Sequence, residues 1–546
     1  MRTIATQTFI AAMTVIATAS ALPIRAADCA ALLQTRLPDT TLTIAQSTPG
    51  GKFIPPYGRA IDRVPAFCRV AGVIRPTNDS YIRFEVWLPI DGWNGKFLSV
   101  GNGGFAGSIN YNGMAGDLRR GYATAGTDTG HEADAEDASW AFHHPQKVID
   151  FGYRALHATS LNAKSLIQAF YTRLPKYSYF DSCSDGGREG LMEAQRFPED
   201  FDGILAGAPA NFWTHMLAAG IDLMQGVYGR NPAGYISSVK IPALQTAALA
   251  ACDAQDGVKD GIISDPLRCH FDPSVLLCKG DDSRDCLTAP QVASAKKLYA
   301  GGVNSQGKQV FPGYMPGGED GPNGWSQWIT GAGPGKASGS LFVENYFRYM
   351  VFGDATWNLL TANVDLAVRA ADEKTGRLLN ATDPDLSRFQ ARGGKLILYH
   401  GWNDPAISPL NTINYYMSVV ATLGPQKAES FVRLYMVPGM QHCFSGPGPN
   451  SFGQTGHTTA KGAEYAIFSA LERWVEEGTA PGDVIATKYV DDDAARGVQM
   501  TRPLCPYPQN AKYKGAGDTN DSANFVCAAA TELPAATDPP NSGRDR

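Results

Sequence analysis

A serine and a histidine about 260 residues apart each have a cysteine as immediate neighbour: Cys183-Ser184 and His442-Cys443. If those cysteines are bonded to each other, one bridge holds the serine and histidine backbones together. Disulfide-linked Cα atoms sit roughly 4.4–6.8 Å apart, so the flanking side chains come within reach. Serine and histidine at that range are the working pair of a serine hydrolase, the imidazole taking the hydroxyl proton as the oxygen attacks.

The residues around the pair fit that chemistry. Ser184 stands in Ser182-Cys183-Ser184-Asp185-Gly186, between a predicted strand and a predicted helix. This is the setting of a nucleophile elbow, where a strained turn lifts the hydroxyl above the sheet. The usual pattern is G-x-S-x-G, and here Ser182 replaces the first glycine. The local alternative is a serine that merely caps the helix. Asp404 and His442 follow in the order Ser, Asp, His, each in a loop just after a predicted strand. Asp404 would hold the imidazole in the right tautomer. The oxyanion needs two backbone donors: the Asp185 amide, and Gly101 in Gly101-Asn102-Gly103-Gly104 after an early strand.

A second constellation has no bearing on acyl transfer. Asp253, Asp256 and Asp260 crowd three carboxylates into eight residues, with glycines between them. Such a loop repels itself unless a cation sits inside, and oxygen-only ligands select Ca²⁺ over zinc. The carbonyls of Val258 and Ile262 are the additional donors expected. The spacing is not that of an EF-hand, and a solvated acidic turn is the alternative.

These residues need a frame to position them. Strand-like runs occur at 81–87, 96–100, 122–125, 177–181 and 203–206, and again at 395–399 and 431–437. Helical periodicity covers 148–171, 189–196 and 463–476. Strands alternating with helices imply an α/β fold with a parallel sheet covered on both faces. Between about 211 and 380 the rhythm breaks into Gly, Pro, Trp and Asn with four cysteines. One α/β domain in two parts, 27–210 and 381–546, with an insertion at 211–380, fits best.

Residues 1–26 read as a secretory signal: Arg2, then an apolar run over 9–21, then small residues with cleavage after Ala21 or Ala26. Pro23 and Arg25 cut the run short of the roughly 20 residues a membrane span needs. The expected location is periplasmic or extracellular, where ten cysteines would pair. Proximity in sequence suggests Cys29–Cys68, Cys252–Cys269, Cys278–Cys286 and Cys505–Cys527, which leaves Cys183 with Cys443. No CxxC pair occurs. A net charge of −6 gives no basic footprint for nucleic acid or anionic lipid. The polar, disulfide-bearing insertion does not suit a lipase. A peptidase and a non-catalytic ligand-binding relative are the other readings. The expected partner is a small ester substrate, and the expected state a monomer or weak dimer.

Four segments together resemble the tannase/feruloyl esterase family: Cys-Ser-Asp-Gly-Gly-Arg-Glu-Gly (183–190), Tyr-His-Gly-Trp-Asn-Asp (399–404), Val-Pro-Gly-Met-Gln-His-Cys (437–443) and Arg-Pro-Leu-Cys-Pro-Tyr-Pro (502–508). The resemblance implies an α/β-hydrolase core, a calcium-binding lid made by the insertion, the Ser184–Asp404–His442 triad and the Cys183–Cys443 bridge. It also implies cleavage of esters of aromatic acids: gallate, ferulate or, in one branch, mono(2-hydroxyethyl) terephthalate. That branch grips its free carboxylate with a lid arginine, and only Lys336 is cationic between Gly331 and Phe347. Trp328 and Phe342 are candidates to wall an aromatic pocket or to fill the insertion's core, and His400 is a third candidate for the pocket.

Overall fold

The computed structural model describes residues 28–455 and 465–529. The segment read as a signal peptide and the tail beyond residue 529 lie outside the described residues.

Nine strands build the main sheet: β1 (Thr40–Thr48), β2 (Phe67–Ile74), β3 (Ile82–Pro89), β4 (Lys96–Val100), β5 (Ala123–Thr127), β6 (Tyr177–Cys183), β7 (Gly203–Gly207), β8 (Lys395–Gly401) and β9 (Val432–Val437). Their spatial order is β1-β2-β3-β5-β4-β6-β7-β8-β9. From β5 to β9 neighbours run parallel, whereas β1, β2 and β3 pair antiparallel with each other and β3 pairs antiparallel with β5. The sheet is therefore mixed, not wholly parallel as the alternating rhythm predicted. β1 carries Thr-Thr-Leu-Thr-Ile with only Ala45 buried, an edge strand too polar to stand out in the sequence.

Both faces of the parallel half are covered, as strands of this type require. α1 (Ala155–Tyr171), α2 (Asp185–Arg196) and α5 (Pro409–Leu423) bury Leu166, Leu191 and Ile413 against Phe180, Ile204 and Leu398. α6 (Ile467–Glu477) buries Phe468, Leu471 and Trp474 on the opposite face against Leu205, Ile397 and Tyr399. Ile204 and Leu205 alternate between those two cores, the period-2 register of a strand buried on both sides.

The insertion between β7 and β8 is mainly helical, although its sequence shows no regular alternation. α3 (Trp213–Met224), α4 (Ile241–Cys252) and three further helices (Ala289–Ala300, Ser338–Asn345, Val364–Ala371) surround a core that includes Leu217, Leu244, Leu298 and Phe347. Glycines and prolines keep each helix short, which hid the 3.6-residue period. Five disulfides join Cys29–Cys68, Cys183–Cys443, Cys252–Cys269, Cys278–Cys286 and Cys505–Cys527.

Candidate active site

β6 ends at Cys183 and α2 begins at Asp185, so the whole turn falls on Ser184. Its backbone is forced to φ +68° and ψ −123°, a strained region for a residue with a side chain. Two contacts explain the small residues around it. A Cβ on Gly186 would meet Ser182 Oγ at 1.9 Å, and one on Gly187 would meet the Gly207 carbonyl at 2.3 Å. Ser182 thus serves where the usual pattern has glycine because Gly186 gives way to it. The Ser184 amide donates to the Gly207 carbonyl at 2.9 Å, anchoring the elbow to β7.

Three side chains from three β-strand ends converge here. Ser184 Oγ lies 2.8 Å from His442 Nε2, and His442 Nδ1 lies 2.7 Å from Asp404 Oδ2. Asp404 is buried and accepts the amides of Ala406 and Ile407 at Oδ1, at 2.8 and 2.9 Å. Burial alone would raise its pKa, but the charges and hydrogen bonds of His442 and His400 outweigh it and hold the carboxyl well below its usual range. The Cα atoms of Cys183 and Cys443 are 6.0 Å apart, so the bridge runs directly between the serine and histidine loops.

A cavity of about 820 Å³, counted with its open mouth, has Ser184, Asp185 and His442 in its wall. Trp328 and Phe342 line it, stacked with ring centroids 6.2 Å apart, and the Trp328 ring meets the His442 imidazole edge-on at 5.0 Å. His400 does not line it. Fully buried behind the acid, His400 bonds Asp404 Oδ2 at 3.1 Å, Thr412 Oγ1 at 2.7 Å and the Ile407 carbonyl at 3.0 Å. Gly101 does not line it either. A Cβ there would sit 2.5 Å from Glu189 Oε2 and 2.8 Å from Ser182 Cβ, so Gly101 lies beneath the loop, and Gly104 faces the cavity instead. The chain must pass Ser182 and Glu189 before it can turn outward.

Sequence reasoning missed the helix that forms most of one wall. Trp213, Met216, Leu217, Gly220, Leu223 and Met224 of α3 face the cavity, at the i, i+3, i+4, i+7 spacing of a single helical face. Tyr314, Phe311 and Ile407 add to it. Among the described residues no lysine or arginine lines this cavity. Lys336 is exposed, and Arg348 is engaged with Glu344 and the Trp357 carbonyl.

A strap of the insertion is stitched to the loops that carry Asp404 and His442. Ser408 Oγ donates to the Gly313 carbonyl at 2.6 Å and Asn403 to the Pro316 carbonyl at 2.9 Å. Gln441 donates to the carbonyls of Gly318 and Asp320, at 2.8 and 2.6 Å. Asn323 donates to the His442 carbonyl at 2.6 Å and accepts the Trp328 indole at 2.8 Å.

The aspartate loop lies at the end of α4, closed by the Cys252–Cys269 bridge. Asp253 accepts the amides of Asp260 and Gly261, at 3.2 and 3.1 Å, and Asp260 is paired with Arg502. Burial, then the neighbouring Asp256 and Asp253, push Asp260 up to about 6 despite Arg502.

A sequence profile described as tannase and feruloyl esterase matches residues 68–528. The chain belongs to the tannase and feruloyl esterase family. It is 46% identical over 525 residues to an esterase of Xanthomonas campestris pv. campestris, covering 92% of this chain and 91% of the relative. It is 34% identical over 448 residues to a probable feruloyl esterase B-2 of Aspergillus flavus, covering 81% and 83%. The crystal structure of feruloyl esterase B from Aspergillus oryzae superposes with a TM-score of 0.84 at 31% identity, covering 92% of this chain and 99% of that one. A tannin acyl hydrolase from Aspergillus niger shares the fold, with a TM-score of 0.72 at 24% identity. The protein is a carboxylic ester hydrolase, and this tannase-family chain carries its serine, histidine and aspartate in hydrogen-bonded sequence.

Proposed function

We propose that this chain is a secreted serine esterase that hydrolyses esters of aromatic carboxylic acids, with a feruloyl-type preference. The hydrogen-bonded series Ser184–His442–Asp404 at the wall of an apolar cavity carries the reading. His442 Nε2 takes the Ser184 proton as Oγ bonds to the ester carbonyl carbon, and Asp404 stabilises the imidazolium. The oxyanion is held by the Asp185 amide and a backbone N–H of the Gly103–Gly104 turn. Collapse expels the alcohol, which receives the proton from His442. Water then repeats the sequence on the aroyl-enzyme and releases the acid.

The cavity's chemistry argues for the acyl group. Beyond Tyr314 and two indoles its walls away from the triad are hydrocarbon and thioether, which suits a methoxylated or unsubstituted ring. Three galloyl hydroxyls would find few partners there. The free carboxylate of a terephthalate or phthalate monoester would find no lysine or arginine among the described residues of the wall, and burying it unpaired is costly. The secretion reading is supported by five disulfides, which persist in oxidising compartments. No helix among the described residues is long and apolar enough to cross a membrane.

The insertion acts in this reading as a lid over the serine and as the seat of a Ca²⁺ ion. Asp253, Asp256 and Asp260 offer the carboxylates a hard cation takes, with Asp260 paired to Arg502 and the three side chains not converging within 4.8 Å, so an ion would have to draw them together. The amides of Val258 and Ile262 are taken by Asp256 and Asp260 at 2.9 and 3.2 Å, which leaves their carbonyls as the additional donors. Its role is structural, holding the loop far along the chain from Ser184.

The test is a hydrolysis panel of methyl ferulate, methyl gallate, phthalate monoesters and the terephthalate monoester, read as kcat/KM. Methyl ferulate should lead, and Ser184→Ala should lose roughly 10⁴-fold or more in kcat while still folding. A preference for a charged monoester would overturn the substrate assignment, and an active Ser184→Ala variant would overturn the mechanism.

A further inference from the structure

α1 and α2 carry a second cluster of reactive groups that the ester chemistry does not use. His157 on α1, Glu193 on α2 and Asp200 in the following loop bring three ligand atoms within 4.8 Å of one another. Glu193 and Asp200 are each 1% exposed. His157 Nδ1 lies 2.6 Å from Asp200 Oδ2, with its ring stacked on Phe197 at 3.8 Å. Among the described residues no donor reaches Glu193 Oε1, Glu193 Oε2 or Asp200 Oδ1. Three buried, acceptor-only oxygens side by side are costly unless something positive lies among them.

Beside the His157–Asp200 pair, Lys164 and a shared proton are the local neutralisers, and neither reaches all three oxygens. Lys164 spends its ammonium on the main-chain carbonyls of Glu199 and Asp200 and stays 3.9 Å from Asp200 Oδ1. A proton shared between the two carboxyls pairs one Glu193 oxygen with Asp200 Oδ1 and still leaves the second Glu193 oxygen without a donor. Crowding does favour such a proton: burial first, then Asp200, raises Glu193 well above the ordinary carboxyl range. A divalent ion would meet all three oxygens at once and displace that proton to solvent. The other such grouping, Cys278, Asp282 and Cys286, is unsuitable because both sulfurs are consumed in a disulfide.

We propose that His157, Glu193 and Asp200 form a binding site for a borderline divalent cation of the Zn²⁺ class, clamping α1 to α2. One imidazole nitrogen with two carboxylates is a zinc-type donor set, and the nitrogen disfavours Ca²⁺ and Mg²⁺. The His157 side chain is 24% exposed, which gives the ion a route in from solvent. Glu193 lies eight residues beyond Asp185 on one helix, about 12 Å along its axis. The ion therefore steadies the helix that carries the nucleophile elbow without touching substrate.

The experiment uses the full chain, stripped with EDTA, dialysed and held in saturating Ca²⁺ so that the aspartate loop does not compete. ZnCl₂ is then titrated by calorimetry and by thermal shift. One equivalent should bind and raise Tm, His157→Ala and Glu193→Gln should each abolish both effects, and Asp256→Asn should retain them. His157→Ala removes only a partly exposed ring, and a circular dichroism spectrum matching that of the unaltered chain confirms that it folds even if Glu193→Gln does not. Absence of stoichiometric Zn²⁺ binding to the unaltered chain, or binding that survives His157→Ala, overturns the proposal.

Discussion

Glu189 Oε2 accepts the backbone amide of Asn102 at 2.9 Å, so a buried acid on α2 holds the loop beside Ser184. Asn102 is fixed from the other side as well, its amide group donating to the carbonyls of Ser108 and Thr127 at 2.9 Å each. The Gly186 amide in turn donates to the Asn102 carbonyl at 2.9 Å. The elbow and the Gly103–Gly104 turn are thus one bonded unit.

Glu189→Ala should release that unit. Loss of a buried acceptor costs about 1–3 kcal/mol, which in the transition state is roughly a 10- to 100-fold fall in kcat with little change in KM. Glu189→Gln keeps an acceptor and should recover most of the rate. Steady-state kinetics on a soluble ester checks both, and equal losses in the two variants would deny Glu189 a positioning role.

The same residue sets a pH dependence of stability. Burial first, then the adjacent Asp185 charge, push Glu189 from an ordinary 4.5 up to about 8. A raised folded-state pKa means that the stabilisation is complete below the unfolded value and is lost as pH rises through the folded one. Stability should therefore decline between about 4.5 and 8, and Glu189→Gln should flatten that decline in denaturant titrations at successive pH values.

Asp404 has the opposite sign. Its pKa falls on folding, so its contribution is present above the ordinary value of 3.8 and disappears as pH drops below it. Asp404→Asn should lower kcat about 10⁴-fold and remove that acid-side loss of stability. His400→Asn, which takes one bond from the acid, should cost roughly 10- to 100-fold in kcat.

Cys183→Ala with Cys443→Ala should destabilise the chain by about 2–5 kcal/mol. Because the bridge joins the serine and histidine loops, kcat should fall before the fold does as temperature rises. Parallel melting and activity curves measure this. Coincident curves would confine the bridge to a stability role.

Chelation should lower Tm while leaving kcat at 25 °C nearly unchanged, because no residue of the aspartate loop lines the cavity. Restoring Ca²⁺ should restore Tm by mass action. An unaltered melting curve in excess EDTA would reject the site.

The central strands were legible in the sequence because β7 and β8 are short apolar runs between turn signals. The elbow was legible because Cys183, Ser184 and Gly186 leave few other uses for such a turn. β1 was not, since an edge strand with one buried residue shows little alternation, nor was β2, which is buried on both faces and so does not alternate. His400 misled for a related reason: adjacency in sequence to the acid loop suggested the pocket, but it falls in β8, where side chains alternate between faces. Gly104 rather than Gly101 lines the cavity, and a glycine run gives no signal of which member turns outward. The α3 face was hidden by expecting irregular structure throughout the insertion.

Asn323 binds the histidine's own carbonyl with one hand and the Trp328 indole with the other, while Ser408, Asn403 and Gln441 fasten the same strap to both loops. Trp328 cannot swing aside without tugging on His442. Ligands must then enter through the standing mouth rather than beneath a lifted cover, and trimming the insertion to make a minimal hydrolase would unseat His442 along with the roof.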